Sequence, residues 1–380
     1  MKTTIKKITV KNFLSFGECS SSIEYSEDER LLFVIGNNDT GKSNITRHLV
    51  NFLNSLWNKQ EILFDSRKFK SEQMSVITIL YSVENCGDFE YQVIIDNRDK
   101  EDHNSHYIKE EILKFNESEF IRKTDSEGKS IIELNGSVID INLSERGSIL
   151  NIDTPEVSLK TGMEYLKNSM IVIKLNQGVL SKEVIDFINR KDNFNIRESI
   201  CFDRIKAFIK DITSHGNLKD ISVTDDGDLY FIHEYNGKNF KIQESSQSIN
   251  NVIEILFRFL YYKDKLLVVD GIEEHIHPLA LRFLLSELLL FTETNNLQGL
   301  IVCRSGEVFN LYEPGSHNRN YKERLDRIVV CGMSDNLKDT YVFNLGRRIE
   351  ADLDYNEFNR IVKYYDNGEL AYRYRSIFNV

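Results

Sequence analysis

An α/β fold around a mixed, largely parallel central sheet is what this sequence predicts, and three observations predict it. Leu31–Ile35 and Leu266–Asp270 are short, almost continuously apolar runs, the pattern of strands buried on both faces. After each run, apolar residues return at helical spacing: Ile45, Leu49, Phe52, Leu53 and Leu56 in one case, Pro278 to Phe291 in the other. Helix and strand alternate through the last third of the chain, the order an α/β sheet requires.

Taken in order, Ile5 to Tyr25 alternates apolar and polar residues and reads as two short antiparallel strands, each with one buried face. Leu31–Ile35 is a central strand, followed by a glycine-containing loop and a helix over Ser43–Trp57. Val76 to Ile95 is again strand-like, with Asn85–Gly87 as a hairpin turn. Residues 96–150 are polar and weakly patterned and read as strands and loops decorating the sheet. Residues 157–215 read as helical, notably Ser181–Asn189 and Arg204–Ile212, and Ile221–Ile242 as strand, turn and strand around Asp225–Asp228. Then come a helix over Asn251–Tyr262, the strand ending at Asp270, a helix from Pro278 to Phe291 and a short buried strand at Gly299–Cys303.

The chain has 380 residues, 41% hydrophobic and 28% charged, enough for one large domain or two modest ones sharing a core. No run approaches the roughly twenty apolar residues of a membrane-spanning helix, and the opening MKTTIKKITV lacks the apolar run of a signal peptide. The expected compartment is therefore the cytoplasm, with no membrane partner. Five widely spaced cysteines without a CxxC pair indicate neither a disulfide framework nor a zinc site. A net charge of −11 repels polyanions, so the charge gives no indication of nucleic acid, and contact with it would need a local basic patch. Protein partners are the simpler expectation.

Between the first central strand and its helix stands Gly36-Asn37-Asn38-Asp39-Thr40-Gly41-Lys42-Ser43, which satisfies GxxxxGK[ST] at every fixed position. In this pattern backbone N–H groups turn inward around a β-phosphate, the lysine reaches the β/γ oxygens, and the hydroxyl ligates Mg²⁺. The helix behind it, opening through Ser43 and Asn44, adds its positive N-terminal dipole. Such a loop needs a second acid at the end of a neighbouring strand, and Asp270, closing LLVVD, supplies one. ATP and Mg²⁺ are thus the expected ligands, with Ser43 and Asp270 as the metal residues.

Four segments together resemble a known group. ITVKNFLSFGECSSSIEY followed by FVIGNNDTGKSN resembles the opening of the SMC, RecF and OLD-like ABC ATPases. LLVVDGIEEHIHPLAL is similar to the stretch these proteins write roughly as iDExExxLHP, and ESSQSINNVIEIL to their signature segment, usually close to ESSGTKKL. IVCRSGEVF lies where the group has a strand followed by THSxE. The resemblance covers about half the chain and implies an ABC-type P-loop NTPase with a β-rich N-terminal lobe and a helical insertion. The implied division is 1–95 for the first half of the ATPase core, 96–240 for a strand/helix insertion, 241–345 for the second half and 346–380 for a tail. Within the group the chain looks similar to stand-alone bacterial defence ATPases, such as PtuA of Septu or the ATPase subunit of PARIS. That resemblance implies a regulatory ATPase of an anti-phage complex, controlling a separately encoded nuclease or toxin. After Phe309 there is no further acidic cluster of the kind that forms the nuclease of full OLD proteins.

Carried onto this sequence, the resemblance implies that Ser245 or Ser246 touches the γ-phosphate of ATP on an opposing subunit, hence a homodimer or higher oligomer. Asp270 is the Mg²⁺ acid and His277 a structural turn residue. Three positions depart from the pattern. Gly271 replaces the glutamate that positions the attacking water, Gln247 replaces the signature glycine, and Arg304 stands where a histidine contacts the γ-phosphate. Either Glu273 or Glu274 reaches the water from the next turn, giving slow hydrolysis, or ATP acts as a switch with almost no turnover. Slow or absent hydrolysis is the expectation. The rival readings are a RecF-like ATPase of DNA repair that clamps duplex DNA, and a non-hydrolysing partner of a more complete ATPase. His275 and His277 are spaced two apart, which does not set them on one helix face for a metal. Tyr261–Tyr262 and Tyr364–Tyr365 read as packing residues, and Arg122–Lys123 and Arg347–Arg348 as short surface pairs.

Overall fold

The computed structural model describes residues 3–26, 29–58, 74–96, 107–125, 129–139, 148–152, 157–173, 175, 179–213, 216–244, 246–311, 325–333, 339–349, 355–367 and 370. The strands of the first half are β1 (Thr3–Lys11), β2 (Ser21–Glu24), β3 (Leu31–Ile35), β4 (Ser75–Val83), β5 (Gly87–Asp96), β6 (Tyr107–Phe115), β7 (Ser118–Thr124), β8 (Ser130–Leu134) and β9 (Ser137–Ile139), with α1 (Leu49–Trp57) between β3 and β4. There follow α2 (Val157–Lys167), β10 (Met170–Ile173), α3 (Lys182–Asn189), α4 (Ile196–Ile212), β11 (Leu218–Val223), β12 (Leu229–Tyr235) and β13 (Lys238–Glu244). The last third holds α5 (Gln247–Tyr261), β14 (Leu266–Asp270), α6 (Pro278–Thr294), β15 (Gln298–Val302), β16 (Ile328–Met333), β17 (Thr340–Asn344) and α7 (Tyr355–Asp366).

The central sheet runs β10-β14-β15-β3-β16-β17, parallel except for the last pair. An antiparallel sheet, β2-β1-β4-β5-β6-β7-β8-β9, forms the N-terminal lobe, and β11-β12-β13 forms a small third sheet. Each central strand feeds two cores. Leu31, Phe33 and Ile35 face the core built with α3 to α6 and the small sheet, whereas Leu32 and Val34 face the core built with α1, α2 and the large sheet. This two-sided burial is why β3 reads as an unbroken apolar run. The lobe is stitched to the central sheet where β1 bulges between Ile5 and Lys7. There the Gln298 side chain takes the Ile5 N–H at 2.7 Å and donates to the Ile5 carbonyl at 2.8 Å.

Three expectations need correction or extension. Met170–Ile173, read as part of a helical stretch, is a strand, because MIVI pairs parallel with β14 at the edge of the central sheet. Ile221–Ile242 is longer than strand, turn and strand: a second turn at Asn236 and Gly237, both with positive φ, returns the chain as β13. Arg122 is not a surface residue. Strand β7 turns Phe120, Arg122 and Thr124 inward, so Arg122 is fully buried while Lys123 points outward to Glu133. The other basic pair behaves differently, since the exposed Arg347 is tied to Glu24 at 2.5 Å and Glu29 at 3.8 Å. Residues 96–240 are shared among all three sheets, β6 to β9 extending the lobe, β10 the central sheet, and β11 to β13 forming the third.

Helix α4 starts with a capping box, in which the Asn195 side chain accepts from Glu198 N at 2.9 Å and Glu198 accepts from Asn195 N at 3.1 Å. Asn195→Ala is expected to cost about 1 kcal/mol, read as a lower urea midpoint. Among the described residues, no helix is long and apolar enough to cross a membrane.

Candidate functional site

The glycine loop leaves β3 at Ile35 and runs to Ser43 across the end of the central sheet. Asn37, Asn38 and Asp39 are exposed at its tip, Asp39 in the left-handed region at φ 61°. Gly41 has φ 82°, and a Cβ there would lie 2.3 Å from Ser15 Oγ and 2.6 Å from Thr340 Oγ1, so only glycine lets the loop pass this close to its neighbours. The Thr40 hydroxyl donates to the Asn37 carbonyl at 2.9 Å, and the buried Cys331 thiol donates to the Thr40 carbonyl at 2.9 Å. Burial pushes that thiol up to about 12, which keeps it a donor. Asn44 donates to Ser15 Oγ at 2.7 Å, anchoring the start of the following turn.

Lys42 is buried and arches back over its own loop, donating to the carbonyls of Gly36 at 2.9 Å and Asn37 at 2.5 Å. An ammonium has three donors, so one remains for a ligand. Burial lowers the Lys42 pKa, opposed by the attraction of Glu273 and Asp270. Behind the loop, Asn44–His48 forms a π-helical turn before α1 begins.

Strand β14 delivers Asp270 to the same end of the sheet, with β15 between it and β3. Ser43 Oγ donates to Asp270 Oδ1 at 3.2 Å, and Arg47 Nε lies 3.3 Å from Oδ2. The chain then turns sharply. Gly271 has φ 74°, and a Cβ at that position would lie 2.8 Å from Glu274 Oε1. The Glu274 carboxylate thus lies over the place where a side chain at 271 would begin. His277 closes the turn by capping α6, its Nδ1 accepting from Leu279 N at 3.2 Å. From the opposite side, Asn251 of α5 donates to the Glu274 carbonyl at 3.4 Å.

The two candidate glutamates differ in setting. Glu274 is exposed and lines a cavity of about 390 Å³ together with Ser43, Arg47, Asp270, Arg304, Ile173 and Leu175. Glu273 is turned inward, 3.7 Å from Arg304 Nε, and burial raises its pKa. Arg304 itself is 54% exposed in its side chain, and its carbonyl accepts from the Tyr365 hydroxyl on α7. Tyr365 in turn packs on Phe309, and Tyr261 and Tyr262 pack beside Phe257 and Arg258.

The structure therefore brings together the loop, Ser43, Asp270, Glu274 and Arg304. Ser246 stands at the start of α5, where its N–H donates to Glu244 Oε1 at 2.7 Å. Ser245 lies outside the described residues. Sequence reasoning missed Arg47, and a signal was present: it follows Ser43 by four residues, the spacing that puts two side chains on one helical face. Ser15 and Thr340, which crowd Gly41, carry no such signal. The residues present fit a nucleotide with a divalent cation: hydroxyl and carboxylate oxygens at Ser43 and Asp270 form a hard donor pair, and the loop and Lys42 offer N–H donors to phosphate.

A family model described as "AAA domain, putative AbiEii toxin, Type IV TA system" matches residues 31–302. No curated protein matches the chain. Among solved structures, the SMC head domain from Thermotoga maritima is similar over 90% of this chain and 99% of its own, at 13% identity and a TM-score of 0.45. An SMC head bound to the C-terminal winged-helix domain of ScpA matches over 91% and 99%, at 16% identity and a TM-score of 0.45. The SMC head with an extended coiled coil from Pyrococcus furiosus matches over 92% and 98%, at 13% identity and a TM-score of 0.44.

Proposed function

The chain belongs to the AAA-domain family described as putative AbiEii toxin of type IV toxin–antitoxin systems, with the architecture of an ABC-type P-loop ATPase, and from that premise we propose a regulatory role in anti-phage defence. In this reading it is an ATP-binding subunit that controls a separately encoded effector by ATP·Mg²⁺-dependent assembly, with slow hydrolysis, in the cytoplasm. The observation that carries the nucleotide part is the convergence of Ser43, Asp270, Glu274 and Arg304 on one cavity beside Lys42. A family described by toxin–antitoxin pairs supports work with a separate protein.

In this reading Lys42 and the loop amides hold the phosphates, and Ser43 and Asp270 would hold the metal. Mg²⁺ bound there would supply charge neutralisation to the phosphates. Glu274, poised over Gly271, orients water in place of the missing glutamate, and Arg304 adds a fixed cation where phosphate charge builds up. In this reading Ser246, at the start of α5, contacts a nucleotide held by a second copy of the chain, hence a homodimer.

Two measurements on purified protein test this. Lys42→Ala is expected to weaken binding of a fluorescent ATP analogue with Mg²⁺ at least about thirtyfold, since it removes a buried charged donor. In light scattering the wild type is expected to double in mass with ATP·Mg²⁺ while the Lys42 variant does not. A wild type that stays monomeric at saturating nucleotide sinks the assembly reading, and one that binds no nucleotide sinks the site.

A further inference from the structure

We propose that Arg47 is a resident counter-cation of Asp270 that competes with the divalent metal for this carboxylate. Once displaced, it adds its charge to the phosphate-binding face. The inference rests on the nucleotide site proposed above.

Both oxygens of Asp270 are engaged within the chain, Oδ1 by the Ser43 hydroxyl at 3.2 Å and Oδ2 by Arg47 Nε at 3.3 Å. The Asp270 side chain is 11% exposed and fixed at a strand end, whereas that of Arg47 is 45% exposed on a long flexible stem. The arginine is therefore the partner that can leave. It projects from the π-helical turn Asn44–His48, and such widened turns are frequent at functional sites. The other charges facing the same cavity are Glu274 and Arg304, with Glu273 and Lys42 behind them, so three acids face three bases. A divalent cation between Ser43 and Asp270 would repel the Arg47 guanidinium at close range. The nearest compensation is phosphate, whose oxygens the planar guanidinium fork suits better than a lysine ammonium does. The consequence is a site that needs more free metal than its two oxygen ligands alone would require, and that retains part of its affinity for nucleotide without metal.

The test uses the whole chain, a fluorescent non-hydrolysable ATP analogue and Mg²⁺, with Mn²⁺ as a paramagnetic reporter of the same site. Nucleotide affinity is followed against metal concentration for the wild type, Arg47→Ala and Arg47→Lys. Arg47→Ala is expected to lower the Mg²⁺ midpoint about two- to fivefold, the range for a half-exposed ion pair, and to weaken metal-free binding by a similar factor. Arg47→Lys is expected to fall between. Matching thermal midpoints would show that the exposed substitution leaves the fold intact. An Mg²⁺ midpoint that stays put or rises in Arg47→Ala, while the wild type binds nucleotide normally, overturns the role of Arg47 alone. Absence of nucleotide binding in the wild type at every metal concentration overturns both this inference and the site it rests on.

Discussion

Glu274→Gln is expected to lower ATP-dependent phosphate release by about 10²–10⁴-fold while leaving nucleotide affinity within a few-fold of the wild type. The amide keeps the shape of the side chain, so the variant still fills the space above Gly271. What it loses is the ability to accept a proton from attacking water. Glu273→Gln is the control, because that residue lies inward beneath Arg304 and its carboxyl is pushed toward the neutral form by burial. A loss in Glu273→Gln with no change in Glu274→Gln would reverse the assignment. Phosphate release from the wild type no faster than from Lys42→Ala would make the protein a switch without turnover.

The largest effect on stability is expected at Glu111. This residue and Arg122 are both fully buried in the N-terminal lobe, 3.9 Å apart. Glu111 accepts from the Tyr91 hydroxyl at 2.6 Å and Ile149 N at 2.9 Å, and from the Ser148 hydroxyl, while Arg122 donates to Ser130 Oγ at 3.0 Å. Burial raises the Glu111 pKa, and the hydrogen bonds from Ser148, Tyr91 and Ile149 and the charge of Arg122 oppose it. Glu111→Ala removes the acceptor of three donors and the carboxylate that faces a buried guanidinium, at a cost of about 3–5 kcal/mol. The measurement is the urea midpoint. The double variant Glu111→Leu with Arg122→Leu is expected to recover much of the loss, because both charges of this buried pair are then removed together. If the single and double variants unfold together, the pair is not what holds β6, β7 and the segment around Ser148 in place.

Much of the candidate phosphate loop was legible because its residue pattern is local. Within the eight residues Gly36 to Ser43 the spacing carries backbone turn, cation and hydroxyl together, and the burial of β3 is written in its unbroken apolar run. The strand ending at Asp270 was legible for the same reason, whereas His277, expected from the resemblance as a turn residue, is the cap of α6. Arg122 was not, because strand alternation in a weakly patterned polar stretch does not say which face is the inner one. A charged residue reads as exposed until a partner such as Glu111, on a different strand, is brought to it. The strand at Met170–Ile173 was hidden likewise, since four apolar residues suit a helix as well as an edge strand until β14 is beside them.

The sequence by itself determined the α/β class, the GxxxxGK[ST] loop, the strand-ending Asp270 and the absence of a glutamate at position 271. Only the tertiary structure decided that Glu274 lies over Gly271 while Glu273 turns inward, and that Arg47 occupies Asp270. The reason is physical. A motif fixes the chemistry of neighbours along the chain, but side-chain direction around a left-handed turn, and contacts between residues more than two hundred positions apart, are set by how the packed sheets bring their strand ends together.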